Sequence, residues 1–138
     1  QMYFTDSRAR EIYLFDYDQT DGTLTNRRVF VRVPEDEGVP DGLTVDAEGY
    51  VWSARWNGGC LVRYAPDGRE VLRIPFPARK VSSVTFGGAD YADLYVTTAG
   101  GDKKAEEGPG AGALFRLDGR RLGVQGVPEF FSRIALPG

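Results

Sequence analysis

The sequence predicts an antiparallel all-β fold, and three observations carry that prediction. Helix rhythm is nearly absent, because Gly or Pro interrupts almost every longer stretch and few windows keep apolar residues at i, i+3 and i+4. Short β-branched and aromatic runs recur along the whole chain, separated by hairpin-turn signals such as Asp21-Gly22, Glu48-Gly49, Asp67-Gly68 and Asp118-Gly119. The runs also repeat: "MYFTDS", "YVWSAR" and "LYVTTA" begin at Met2, Tyr50 and Leu94, 48 and then 44 residues apart. That period is the range of a four-stranded propeller blade.

The elements follow in order. "MYFTDS" and "IYLFDYD" form a strand pair that runs into the turn at Asp21-Gly22. Asp16, Asp18 and Asp21 have the spacing that opens a calcium loop, but the remaining ligand positions do not follow, so they read as a polar hairpin turn. Asp6 and Ser7 also read as turn residues. "PDGLTVDAEG" is an inner strand, in which Pro presets φ before Asp41 and Gly42 follows it. "YVWS" and "CLVRY" come next, joined through "WNGG", where Trp56 reads as packing and Cys60 as a packed strand residue. Asp46 and Glu48 belong to the hairpin turn "DAEG", with Glu48 solvated. "VSSVTFGG" is a second inner strand, and superposing it on the first sets Ser82 on Asp41, Ser83 on Gly42 and Val84 on Leu43. Ser82 is therefore a candidate contact for substrate or for a ligand's water, against the simpler reading of a hydroxyl capping its own loop. Between "LYVTTA" and "ALFRLDG" lies a Gly-rich, charged insertion, residues 100–112, expected to be mobile surface.

In a propeller the innermost strand of each blade lines the central channel. The chain thus reads as one domain over 1–138, with blade segments of about 1–36, 37–79 and 80–138, the first lacking its inner strand. A sandwich or barrel is the competing all-β reading, and it explains the regular self-similarity less well. Three blades are half a ring, with two open flanks that need either a missing N-terminal half or a second copy of the chain.

Composition narrows the chemistry. The net charge is −3, with both signs interspersed, which argues against nucleic acid and anionic membranes as partners. No signal-peptide layout and no long apolar run is present, and the single cysteine, Cys60, fits a reducing, cytoplasmic location. The chain contains no histidine, which removes histidine general acid–base catalysis, Ser-His-Asp triads and imidazole-ligated zinc from what these residues can supply. What remains is carboxylate, hydroxyl and amine chemistry, or a metal held by oxygen.

Over nearly its whole length, in order and with matching spacing, the chain resembles the C-terminal half of the gluconolactonase, regucalcin and lactone hydrolase family. "PDGLTVDAEGYVW", "WNGG" and "FGGADYADLYVT" carry the resemblance most specifically. It implies a six-bladed propeller with one divalent cation, Ca²⁺, Mg²⁺, Mn²⁺ or Zn²⁺, on its axis, and hydrolysis of a sugar lactone to the aldonic acid. It also implies that Asp41, the Asp of Pro-Asp-Gly, is a metal ligand and a candidate general base. The other ligands implied, a Glu and an Asn, belong to the other half. A non-catalytic calcium-binding or partner-binding propeller is the alternative, as is a half-propeller that dimerises.

Overall fold

The computed structural model describes residues 1–128. Ten strands make three antiparallel sheets in chain order. The first holds β1 (Met2–Asp6), β2 (Glu11–Tyr17) and β3 (Leu24–Arg32). The second holds β4 (Val39–Val45), β5 (Val51–Trp56), β6 (Cys60–Tyr64) and β7 (Glu70–Pro75). The third holds β8 (Val81–Gly87), β9 (Asp93–Thr98) and β10 (Leu114–Asp118). Each sheet runs up and down between sequence neighbours, and the first strands of the second and third sheets, β4 and β8, pack side by side. This is the blade arrangement of a β-propeller, as the repeats predict.

The sheets stack through two apolar layers. Ile12, Val31 and Val33 of the first sheet and its outgoing link meet Val51, Cys60, Val62 and Tyr64 of the second. Trp52, Ala54 and Leu61, from the opposite face of that second sheet, meet Val81, Val84, Phe86, Leu94 and Val96 of the third. The central sheet is covered on both faces, so β5 is buried at all but its last residue and its sequence "VWSAR" shows no polar alternation. Each large apolar side chain enclosed there stabilises the stack by about 1.5–3 kcal/mol.

Two features differ from expectation. A hairpin turn is expected at Asp118-Gly119, but the Asp118 carboxylate instead accepts a hydrogen bond from the Arg120 N–H (3.0 Å) and caps a helical turn, α2 (Gly119–Leu122). The third sheet therefore has three strands among the described residues, not four. The insertion between β9 and β10 is also more built than its composition suggests. It forms a 3-10 turn and the short helix α1 (Lys104–Glu107). Arg79 N–H donates to the Glu107 carbonyl and Gly110 N–H to the Pro77 carbonyl, both at 2.7 Å. The Glu107 carboxylate, nearly buried, meets Lys80 at 2.6 Å, and Ala111 is fully enclosed.

Candidate metal-binding site

The site starts at a backbone irregularity in β4. Pro40 pairs with Arg55 and Leu43 with Ser53, so Asp41 and Gly42 together lie opposite the single residue Ala54. That is a β-bulge, the device by which a strand re-aims one side chain. β8 has the same bulge at the same place: Val81 pairs with Thr98, Ser83 with Thr97, and Ser82 is the extra residue. Asp41 and Ser82 thus occupy equivalent slots on adjacent strands, as their superposed sequences indicate.

The two bulges touch. A Cβ on Gly42 would lie 2.3 Å from Ser83 Oγ, so only glycine lets β4 and β8 approach this closely. The start of β4 is clamped from the first sheet as well. Ser7 Oγ donates to the Pro40 carbonyl (2.8 Å), and the Arg10 guanidinium donates to the Gly38 carbonyl. Gly38 itself has φ 74° and faces the Trp56 carbonyl so closely that any Cβ would overlap it. The bulge is held from three sides, so Asp41 presents its carboxylate from a fixed backbone.

That carboxylate is half-buried, and the ion pairs formed among the described residues leave it out. Burial pushes its pKa above the ordinary aspartate value, and the Gly42 backbone N–H acts the other way. Ser82 is in a different state. Its Oγ lies 2.8 Å from Thr97 Oγ1, so its hydroxyl is engaged across the sheet instead of capping its own loop. The turns β1–β2 and β5–β6, the link between β7 and β8, and the insertion after β9 all lie at the same end of the sheets as Asp41.

Other sequence candidates fall elsewhere. Asp6 accepts from Ala9 N–H (2.9 Å), and Asp18 and Asp21 each accept from a backbone N–H two residues on, at 2.8 Å, so all three are turn residues. Asp16 pairs with Asn26 and Arg28 on the hairpin surface. Trp56 packs under Lys80, whose Nζ sits 5.4 Å from the ring centre. Among the described residues no three Asp, Glu, Cys or His side chains cluster as a metal site.

Two residues have roles that the sequence did not disclose. Asp46 is 3% exposed and accepts from the Glu48 and Tyr50 backbone N–H groups, from Trp52 Nε1 (2.9 Å) and from Arg63 Nε (2.9 Å). Arg55 is fully buried without a carboxylate partner among the described residues. Its guanidinium donates to Ser53 Oγ (2.6 Å) and to the Tyr64 hydroxyl, while its Nε–H has no acceptor. Asp46 could have been suspected from the Trp and Arg placed across the hairpin from it, but Arg55 gives no local signal.

The comparisons with known proteins agree with this picture. The model of the SMP-30/gluconolactonase/LRE-like region matches residues 1–100. A pentonolactonase of Haloferax volcanii is 49% identical over 99% of this chain and 48% of its own length. A regucalcin of Danio rerio is 42% identical over 93% of this chain and 44% of its own. The chain thus spans about half the length of these relatives. Among solved structures, a regucalcin of Agrobacterium tumefaciens described as calcium-binding superposes with TM-score 0.82 and 31% identity over 96% of this chain and 45% of that one. A luciferin-regenerating enzyme superposes with TM-score 0.79 and 31% identity over 91% and 43%. The chain, three sheets of a β-propeller carrying a Pro-Asp-Gly bulge, belongs to the SMP-30/gluconolactonase/LRE-like family.

Proposed function

We propose that the intact protein hydrolyses a sugar lactone to its aldonic acid with a divalent cation, and that Asp41 is one ligand of that cation. The observation that carries this reading is a half-buried carboxylate without an ion-pair partner among the described residues, set on a clamped bulge in a chain 49% identical to a pentonolactonase. A single carboxylate leaves most of a hard cation's oxygen shell to other groups. The remaining ligands therefore come from residues outside this chain, in the other half of a ring that the open edge of β1 invites. A second copy of the chain would offer the same ring with two Asp41 carboxylates.

When bound, such a cation polarises the lactone carbonyl and lowers the pKa of water. Asp41 contributes a fixed negative oxygen at the mouth of the inner strands. Its raised pKa in the unliganded protein keeps a second task open, that of accepting the proton of the attacking water. The proton and the metal compete for the same oxygens, so ligation is the primary role and base catalysis the secondary one. Ser82, one blade on and held across the sheet by Thr97, is the second-ranked contact, offering its oxygen to a hydroxyl of the sugar. The segments 1–36, 37–79 and 80–138 act as consecutive blades of this one domain; residues 129–138 of the last lie outside the described residues. No helix among the described residues is long and apolar enough to cross a membrane, and we place the protein in the cytoplasm, consistent with its lone thiol.

A second reading is a calcium-binding propeller without catalysis, favoured by the relatives named regucalcin. Lactone hydrolysis by the intact protein, followed as acid release from a panel of aldonolactones, separates the two. The proposal expects hydrolysis that a chelator abolishes and a divalent cation restores. Cation binding without any hydrolysis would favour the second reading.

A further inference from the structure

The two bulges are alike in backbone and opposite in what faces them. Opposite Ser82-Ser83 stands Thr97, whose hydroxyl meets Ser82 Oγ at 2.8 Å. Opposite Asp41-Gly42 stands Ala54, which has no hydrogen-bonding side chain and is fully buried. In one sheet the bulge side chain is held sideways along the pairing direction, and in the other it is left free. We infer that Ala54 is a positioning residue: by offering Asp41 no cross-strand donor, it keeps the carboxylate available to a cation. This inference rests on the proposed role of Asp41 as a ligand.

The physical argument is one of competition. A hydroxyl at position 54 would sit where Thr97 sits relative to Ser82, within reach of the bulge side chain. A carboxylate accepting such a bond gains a charge-assisted partner in the metal-free protein and turns along the sheet. Cation binding must then break that bond or accept a ligand aimed away from the axis. Neither demand exists with alanine. The position is enclosed in the layer between the second and third sheets, so added volume has its own effect and needs a control.

The test uses the intact protein and isothermal titration with Ca²⁺ and with Mn²⁺. Ala54→Ser adds the donor, Ala54→Cys adds somewhat more bulk with a far weaker one, and Thr97→Ala releases Ser82. The inference expects Ala54→Ser to weaken cation affinity about fivefold, the worth of one hydrogen bond. It expects Ala54→Cys to bind within about twofold of the parent, the hydrogen bond being absent, and Thr97→Ala to leave affinity unchanged. Unchanged or tighter binding by Ala54→Ser overturns the inference, and so does equal weakening by the cysteine variant, which would mark a packing effect. Asp41→Asn in the same titration separates the levels. If it loses affinity while Ala54→Ser does not, only the role of Ala54 fails; if it too binds normally, the ligand assignment fails with it.

Discussion

Asp46 shows what a carboxylate looks like when its work is structural. It is buried like a core residue, yet every neighbour is a donor: two backbone N–H groups, the Trp52 indole and the Arg63 guanidinium, whose Nη2 is 2.7 Å away. Arg63 in turn lies 3.9 Å above the Tyr50 ring centre and closes the hairpin. Removing Asp46 strips the Trp52 indole and two backbone N–H groups of their acceptor while Arg63 keeps Glu48 at 2.8 Å, so Asp46→Ala should cost about 1–3 kcal/mol in denaturant unfolding. Among the described residues Asp41, five residues earlier, meets only the Gly42 N–H, which is why Asp46 is scaffold while Asp41 is the proposed ligand. Arg55 makes a related point. Its buried guanidinium depends on neutral acceptors, so Tyr64→Phe should destabilise by about 1–3 kcal/mol, with no change in cation affinity. An unaltered midpoint would show that the phenol is dispensable. The Asp41 slot was legible because the inner strands of two blades align in sequence, although Pro-Asp-Gly reads locally as a turn and the structure makes it a bulge within β4. Asp46 left only the trace of a Trp and an Arg across the hairpin, 6 and 17 residues on, and Arg55 left none, because its acceptors Ser53 and Tyr64 carry no charge.

At the scale of elements, the contact between β4 and β8 decides whether the site keeps its shape. Gly42→Ala would drive a methyl into Ser83, and the expected cost is about 1–3 kcal/mol together with weaker cation binding. Adding Ser83→Gly should recover part of both losses, since the overlap is with that side chain and its strand. Full additivity of the two substitutions would contradict direct contact. The strands themselves were readable from alternation and turns, and so was the equivalence of Asp41 and Ser82, but the bulge that both occupy shows only in the strand register. The insertion after β9 was not readable. Its composition says solvated loop, but Glu107 reaches back to Lys80 across 27 residues, a pairing that no local pattern encodes. The end of the third sheet was misread for a similar reason: Asp118-Gly119 has the letters of a hairpin turn, and the Asp118 side chain spends its oxygen on a helix cap instead.

At the scale of the molecule, the first sheet exposes a face that ordinary monomers cover. Phe4 is 50% and Val29 45% exposed, and cross-strand pairing sets both beside Tyr13. Residues 1–138 expressed alone should therefore self-associate or bind a hydrophobic dye, as light scattering after size exclusion would record. A clean monomer with cooperative unfolding would contradict both the missing half and the second copy. The blades were legible from the period of the repeats, while the metal chemistry proposed for the axis comes only through family resemblance, because one carboxylate in one chain specifies no metal. The proposed chemistry turns on Asp41. The most direct measurement is calorimetric titration of divalent cations into the intact protein and its Asp41→Asn variant, with lactone hydrolysis followed in parallel. Loss of at least about 1.4 kcal/mol of cation binding, a tenfold weaker affinity, together with loss of hydrolysis is the result expected of a ligand. Normal affinity and normal hydrolysis in the Asn variant would contradict it.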